Sequence, residues 1–420
     1  MTSTILLAFL VSFMSLNLLL LSLRSFQLAI KINLFLGLLF TRPNILGEAF
    51  GYVMPVFWIF VYYFSTKIKT ELNQNASNKN EIEKLRKGIL TPILYFYISY
   101  WAYTLLIDSL RGNQISIWVV FSNTVGLFSG LAAVNSMILN IEYSLLLKIY
   151  TWFIVIPSFG GVMKYLLPAI TPCVDVNFSN QGGRPWTYDV CLNGAVYFGD
   201  RFTGFGGEPA IFATEMALCV FVLLNIPIFS KITTWILVTI VSAAVILTFA
   251  TTGYVALAIA LIYSLLNLTA KRLRIISSTI LLVGLFPFYK LLQVLFQRKI
   301  DASPVSISDR FAYASFFDYV HVWSQNFFGL QTSPTVSGAG INLLTLSLIY
   351  GFPIILFTLF FLFRIYFRLR VVTPWNGALS IILFTMAFSQ PPISNYLWLI
   401  LLYIILGSQV QHKFATGISR

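Results

Sequence analysis

Charged residues are scarce in this sequence. They make up 10% of its 420 residues, while 58% are hydrophobic, and an average soluble domain is about 25% charged. A soluble chain of this composition would have too few polar side chains to cover its surface. The scarcity of charge therefore disfavours an ordinary soluble enzyme and favours a protein whose solvent is lipid, so a lipid bilayer is the first expected partner.

Residues that bind metals are also scarce. The chain has 2 His and 3 Cys, and no cluster of them has the spacing of a metal site. We therefore expect no metal and no cofactor. The net charge of +13 lies in short segments between apolar runs, where topology signals are found, and this placement argues against a nucleic-acid partner.

Long apolar runs make up most of the chain. Runs of close to twenty residues predict transmembrane helices. The expected fold is therefore an all-α polytopic integral membrane protein, a single transmembrane domain over 1–420 with about 12–13 spans. The predicted spans are 5–23, 26–41, 48–66, 89–107, 115–138, 145–168, 208–229, 232–249, 252–269, 275–296, 341–363, 375–389 and 394–410. The second is short and contains Lys31, which leaves twelve and thirteen spans both open.

The distribution of basic residues orients these spans. With the N-terminus outside, most of the 27 Lys and Arg residues fall on the cytoplasmic side, as the positive-inside rule requires. The two longest outer loops are then 169–207 and 297–340. Loops of this length in a compact protein usually carry function, so we expect the functional site there.

The first outer loop contains two of the three cysteines, Cys173 and Cys191. Outside the cytoplasm this pair is able to form a disulfide, and two free thiols are the alternative. The third, Cys219, lies in a predicted span, where packing is its expected role.

The segment RFTGFGGEP, which ends the first outer loop, has the composition of an anion site. Its three glycines make a flexible turn, and Pro209 suits the first position of a helix that begins at Glu208. Arg201 beside a helix N-terminus favours an anionic ligand such as phosphate. Glu208 then orients the arginine or acts as a base, and Glu215 lies on the same helical face. The alternative is an Arg–Glu pair that only fixes the loop.

The second outer loop contains a candidate helix that starts near Arg310. On that helix Arg310 and His321 share one face. We expect Arg310 to be functional, whereas a lone histidine such as His321 is more often packed or interfacial than catalytic. Thr251 and Thr252 open a span at an outer turn. They are candidate hydrogen-bond donors to a lipid headgroup and equally good helix caps.

These segments together resemble a known family. RFTGFGGEP entering a helix, a later outer loop with an arginine, and GAGINLLTLSLIYG entering another helix are similar to the bacterial O-antigen polymerase and ligase superfamily. The resemblance covers 200–351 by motif and the rest of the chain by layout. It implies a membrane-embedded, metal-independent glycosyltransferase fold in the bacterial inner membrane, with the active site facing the periplasm.

The resemblance also implies a substrate and roles for individual residues. Such polymerases transfer a growing glycan from undecaprenyl diphosphate onto a new lipid-linked repeat unit. The expected partners are therefore undecaprenyl-diphosphate-linked repeat units and a chain-length regulator protein. Arg201 and Arg310 would engage the diphosphate, with Glu208 beside them. The general base stays open among Glu208, Glu215 and His321.

The residue before Asn342 distinguishes the branches of this superfamily. Asn342 opens the late helix and is counted, with Thr251 and Thr252, among the candidate substrate-binding residues. The ligase branch tends to carry a histidine just before this asparagine, and Ile341 stands here instead, which favours a polymerase. Two alternatives remain. One is an O-antigen ligase with a lipid A-core acceptor, and the other is a flippase or transporter of lipid-linked oligosaccharide, which the lack of an internal repeat disfavours.

Overall fold

The computed structural model describes residues 95–96, 98–112, 143–179, 185–193, 195–198, 201–204, 209–266, 316–331, 343–369 and 381. The described elements fall into two compact units. The first unit holds one long helix and a β-sheet, and the second unit holds helices.

In the described part of the first unit, helix α2 (Tyr143–Leu166) comes first and is followed by a short 3-10 helix (Pro168–Ile170). A four-stranded antiparallel sheet follows, with strands in chain order. The strands are β1 (Cys173–Ser179), β2 (Pro185–Cys191), β3 (Val196–Phe198) and β4 (Arg201–Gly204). Polar and apolar residues alternate in CVDVNFS and in TYDVC, which is the pattern of a sheet with two different faces. Most of the predicted loop 169–207 is therefore regular β-structure.

The first two strands are joined covalently as well as by hydrogen bonds. Cys173 and Cys191 face each other in the β1–β2 register, and Ser179 faces Pro185 at the other end. A disulfide joins Cys173 to Cys191, with 18 residues of sequence separation. This is the pair that the sequence singled out. Cys219 is a buried free cysteine.

The described part of the second unit contains α1, which covers 98–110, and six helices later in the chain. Three are consecutive: α3 (Pro209–Asn225), α4 (Lys231–Leu247) and α5 (Thr251–Leu266). The others are α6 (Phe316–Gln325), α7 (Leu343–Tyr350) and α8 (Pro353–Leu369). Helix α4 begins where Ser230 accepts a hydrogen bond from the Thr233 N–H at 3.3 Å, as an N-cap does.

Helices α3 and α5 pack in close contact. Gly253 on α5 leaves room for this approach, because a Cβ there would lie 2.3 Å from the Cβ of Ala213 on α3. Farther along both helices, the Asn225 side-chain amide donates to the Ser264 hydroxyl at 2.7 Å. The two helices therefore run in the same direction, and α4 carries the chain from the end of α3 back to the beginning of α5.

The predicted span 341–363 is interrupted. Helix α7 ends at Tyr350 and α8 begins at Pro353. Gly351 between them has φ +85°, a left-handed conformation that suits glycine and ends helices. A hydropathy pattern does not register this break, because the residues on both sides are apolar.

The all-α membrane fold predicted from the sequence is wrong in two respects. The structure contains a four-stranded antiparallel sheet. Among the described residues, no helix combines the length and the apolar character that crossing a membrane requires. Helices α3, α4 and α5 have 16 or 17 residues, so each rises about 25 Å, less than the roughly 30 Å of a hydrocarbon core.

Some predicted spans were too long because apolar residues continue past the helix end. The span 208–229 is an example, since α3 ends at Asn225 and Pro227 lies in the apolar stretch that follows. The remaining predicted spans include six that lie wholly outside the described residues: 5–23, 26–41, 48–66, 115–138, 275–296 and 394–410.

Candidate functional site

Arg201, the first predicted anion ligand, opens strand β4 of the first unit. Its neighbour Phe202 is fully buried and lies against helix α2. A Cβ on Gly161 of α2 would come within 2.8 Å of the Phe202 ring, so glycine is what permits this contact. The sheet is thereby packed on the second half of α2, and Arg201 is placed by a buried anchor at the next residue.

Two side-chain hydrogen bonds attach the same sheet to α2. The Tyr197 hydroxyl donates to the Gly161 carbonyl at 2.7 Å, and the Asn193 amide donates to the Gly160 carbonyl at 2.8 Å. Burial raises the pKa of Tyr197 to about 12, so its hydroxyl remains a donor throughout the physiological range. These two hydrogen bonds hold the sheet that contains β4 against α2.

The Arg201 side chain is half-buried. Its Nη2 atom is enclosed by protein, so the charged group is held partly out of water. A guanidinium held in this way offers planar, directed N–H donors and suits the oxygens of a phosphate or carboxylate. The ability to bind such an anion is a property of the guanidinium group itself, whichever of these ligands is present.

Glu215 lies in the second unit, on helix α3. The residue is 1% exposed, and its Oε1 atom is enclosed. A carboxyl group so deeply buried is costly unless its surroundings compensate for it. The helix begins at Pro209, one residue after the predicted start at Glu208. Glu215 is therefore about 9 Å along the axis from that start.

Thr251 and Thr252 are the first two residues of helix α5. Thr251 is half-buried and Thr252 is 8% exposed. The Thr252 hydroxyl has no hydrogen-bond partner among the described residues. Because Gly253 contacts Ala213, the structure brings these threonines to the same helix pair, α3 and α5, that contains Glu215.

His321 lies on helix α6, apart from α3 and α5 in the chain. Its imidazole is exposed, and its Nε2 atom is 3.1 Å from the side-chain nitrogen of Gln325, one turn later. The opposite face of α6 packs through Tyr319 and Trp323 on α7, and the Trp323 indole donates to Ser347 at 3.0 Å. The histidine is thus a surface residue on a well-anchored helix.

A polar cluster around Arg111, which the sequence did not indicate, lies in the second unit. The guanidinium follows the end of α1 and donates to the backbone carbonyls of Gly329 and Ile349. It donates also to the Gln331 carbonyl at 3.3 Å. It lies 5.9 Å from the centre of the Tyr350 ring, a favourable cation–π arrangement.

Further hydrogen bonds surround this arginine. The Tyr103 hydroxyl donates to the carbonyls of Phe328 and Tyr350, both at 2.9 Å. The Tyr350 hydroxyl donates to Asp108 at 3.2 Å. Asp108 and Arg111 are three residues apart at the end of an apolar run, and this spacing is the sequence signal that would have identified the pair.

Two glycines make the cluster possible. Gly329 and Gly351 both have left-handed backbones, with φ of +70° and +85°. A Cβ on Gly329 would lie 2.2 Å from the Tyr350 carbonyl carbon, and one on Gly351 would lie 2.3 Å from the Phe327 carbonyl oxygen. The loop after α6 and the break between α7 and α8 therefore pack backbone to backbone, and Arg111 joins them.

Three of the predicted site residues lie outside the described residues: Glu208, Arg310 and Asn342. Among the others, Glu215, Thr251 and Thr252 share one helix pair, His321 stands on α6, and Arg201 belongs to the first unit. No protein-family model matches the chain, and no curated protein matches it either.

Proposed function

We propose that this chain is an O-antigen repeat-unit polymerase, a metal-independent glycosyltransferase. It transfers a growing glycan from undecaprenyl diphosphate onto a new lipid-linked repeat unit, at the periplasmic side of the bacterial inner membrane. A chain-length regulator protein is its proposed partner. The observation that carries the proposal is the half-buried arginine of the RFTGFGGEP segment, Arg201, which opens β4 of the first unit.

The leaving group explains why a held arginine matters. When the glycan leaves undecaprenyl diphosphate, negative charge develops on the diphosphate oxygens. A guanidinium already fixed in place stabilises that charge without reorganising during the reaction. Arg201 is supported by the buried Phe202 and by a sheet bonded to α2, and Arg310 is proposed to have the same role.

The transfer is a single substitution. A hydroxyl oxygen of the acceptor sugar forms a bond to the anomeric carbon of the donor glycan. The bond from that carbon to the diphosphate breaks, and its electron pair leaves with the diphosphate. The acceptor proton passes to a general base.

Burial ranks the candidates for that base. Glu215 is 1% exposed, which disfavours it as the group that meets a large sugar acceptor. His321 is exposed, which supports it. Glu208 remains a candidate from the sequence alone. Glu215 is better suited to an indirect role within the helix packing.

The proposal is tested by the lipopolysaccharide of a strain that lacks the protein. We expect core capped with a single repeat unit and no ladder, because a separate ligase still attaches one unit. Bare core with accumulated lipid-linked polymer would mean that the protein is the ligase. Bare core with lipid-linked single units on the cytoplasmic face would mean that it is a flippase.

Complementation of that strain tests the role of Arg201. We expect Arg201→Ala to leave the ladder absent at normal protein level, and Arg201→Lys to restore it only in part, because lysine offers a point charge and not a planar fork. Arg364 is an exposed arginine on α8, so Arg364→Ala is the matched control and should restore a normal ladder. A normal ladder with Arg201→Ala would remove this residue from the site.

A further inference from the structure

Helices α3 and α5 begin at the same end of the second unit. Near their beginnings, Gly253 leaves room for Ala213. Near their ends, Asn225 bonds to Ser264 at 2.7 Å. The beginnings of α3 and α5 contact each other, and so do their ends. The two helix N-termini are therefore side by side. Each N-terminus carries a partial positive charge and N–H groups that point out of the helix, and two together reinforce each other.

These two N-termini are buried. Ala210 in the first turn of α3 is 0% exposed, and so is Ala250, which precedes α5. The Ala250 carbonyl accepts the first helical hydrogen bond of α5, from the Tyr254 N–H at 3.1 Å. Ala250 thus occupies the N-cap position, and its methyl group is unable to accept a bond from the first-turn N–H groups.

A second observation at the same end points to a ligand. Thr252 is 8% exposed, and its Oγ1 atom is enclosed and has no hydrogen-bond partner among the described residues. Side chains on a helix tilt toward the N-terminus, so at the second residue of α5 this hydroxyl is directed toward the helix end. A buried hydroxyl without a partner is costly, and a ligand at the helix end would remove that cost.

We infer that the paired N-termini of α3 and α5, with the Thr252 hydroxyl, bind a phosphate group. A phosphate offers several acceptor oxygens and a negative charge, which match first-turn N–H groups, a hydroxyl donor and two positive helix ends. The inference rests on the proposed function for the source of the phosphate, the diphosphate of the lipid-linked glycan. Glu215 lies six residues into α3 from Pro209, about 9 Å along the helix axis.

Calorimetric titration of the purified full chain with inorganic pyrophosphate tests the site directly. We expect Thr252→Val, which keeps the shape and removes the hydroxyl, to weaken binding about tenfold. Thr252→Ser keeps the hydroxyl and should bind within about twofold of the natural protein. The matched control is Thr151→Val, since Thr151 is also fully buried with an unpartnered hydroxyl but lies in the middle of α2. Equal affinity in all four proteins, or no binding by any of them, would overturn the site.

A second arm separates the sources of phosphate and the two proposals. Flotation with phosphatidylcholine vesicles that contain undecaprenyl diphosphate should be Thr252-dependent if the lipid-linked group is the ligand. Thr252-dependent binding of pyrophosphate alone would retain the phosphate site and reject the lipid source. Binding is measured without turnover, so the two proposals are able to fail separately. Thr252-dependent binding by a protein whose loss leaves the lipopolysaccharide ladder intact would overturn the polymerase proposal only. A single-unit phenotype without Thr252-dependent binding would sink the site only.

Discussion

At the residue scale, the Tyr197 hydroxyl attaches the sheet of the first unit to helix α2. It donates to the Gly161 carbonyl at 2.7 Å, and the Tyr197 ring lies 5.5 Å from the ring of Phe202. Gly161 therefore serves both contacts, since it accepts the bond and leaves space for Phe202. The position of Arg201 depends on these neighbours, because it directly precedes Phe202 in β4.

Because Tyr197 is buried, the folded protein should lose stability at alkaline pH. Burial raises the pKa of Tyr197 from 10.0 in the unfolded chain to about 12. The neutral phenol is thus favoured in the folded state, and its contribution is complete below pH 10 and is lost as pH rises toward 12. We expect the melting temperature to fall between pH 9 and pH 11.5, and to fall less in Tyr197→Phe, which has no proton to lose. Parallel curves for the two proteins would show that Tyr197 does not titrate in this way.

At the element scale, Arg111 holds the end of α7. The last carbonyls of a helix lack partners within the helix and carry partial negative charge. Arg111 donates to the Ile349 carbonyl at this end and to the Gly329 carbonyl in the loop after α6. One side chain therefore joins three segments, and α6, with His321 on its exposed face, is fixed through that loop.

Replacement of this arginine should loosen the junction. We expect Arg111→Met to lower the free energy of unfolding by about 2 kcal/mol, because several carbonyls lose charged donors. Hydrogen exchange of the Phe352 amide, which donates to the Phe327 carbonyl at 2.9 Å, should accelerate about tenfold in the variant. Arg364→Met, at an exposed position on α8, is the control and should exchange like the natural protein. Unchanged exchange at Phe352 would refute the role of Arg111.

At the scale of the whole molecule, the Cys173–Cys191 disulfide is a test of the cellular compartment in which the sheet lies. Disulfides persist in the periplasm and are reduced in the cytoplasm. The bond joins β1 to β2 at the end of the hairpin nearest α2, and Arg201 lies in the same sheet. A periplasmic site for glycan transfer therefore requires that this bond be present in cells.

Mass spectrometry of protein from untreated cells, alkylated before lysis, measures this directly. We expect the peptides that contain Cys173 and Cys191 to be linked without reductant and separate with it. The buried free thiol of Cys219 is the internal control and should be alkylated only after denaturation. Free Cys173 and Cys191 in untreated cells would place the sheet in a reducing compartment and remove the periplasmic site from the proposal.

The positions of several helices could be read from the sequence. The predicted spans 145–168, 232–249 and 252–269 agree within a few residues with α2, α4 and α5, and the helix predicted to start at Glu208 begins at Pro209. Apolar runs and turn residues are local signals, so they locate helices well. Their assignment as membrane spans was wrong, because no helix among the described residues is both long enough and apolar enough to cross a membrane.

The sequence by itself determined that charge is scarce. It also identified the RFTGFGGEP segment as a candidate anion site and the cysteine pair as a candidate disulfide. Only the tertiary structure decided that strands β1 to β4 form a sheet supported on Gly160 and Gly161, and that the beginnings of α3 and α5 are side by side. It alone also decided that Arg111 reaches carbonyls more than 200 positions away in the chain. The physical reason is that composition and spacing act over a few residues, whereas a close approach between glycines or a buried donor depends on chain segments that meet only after folding.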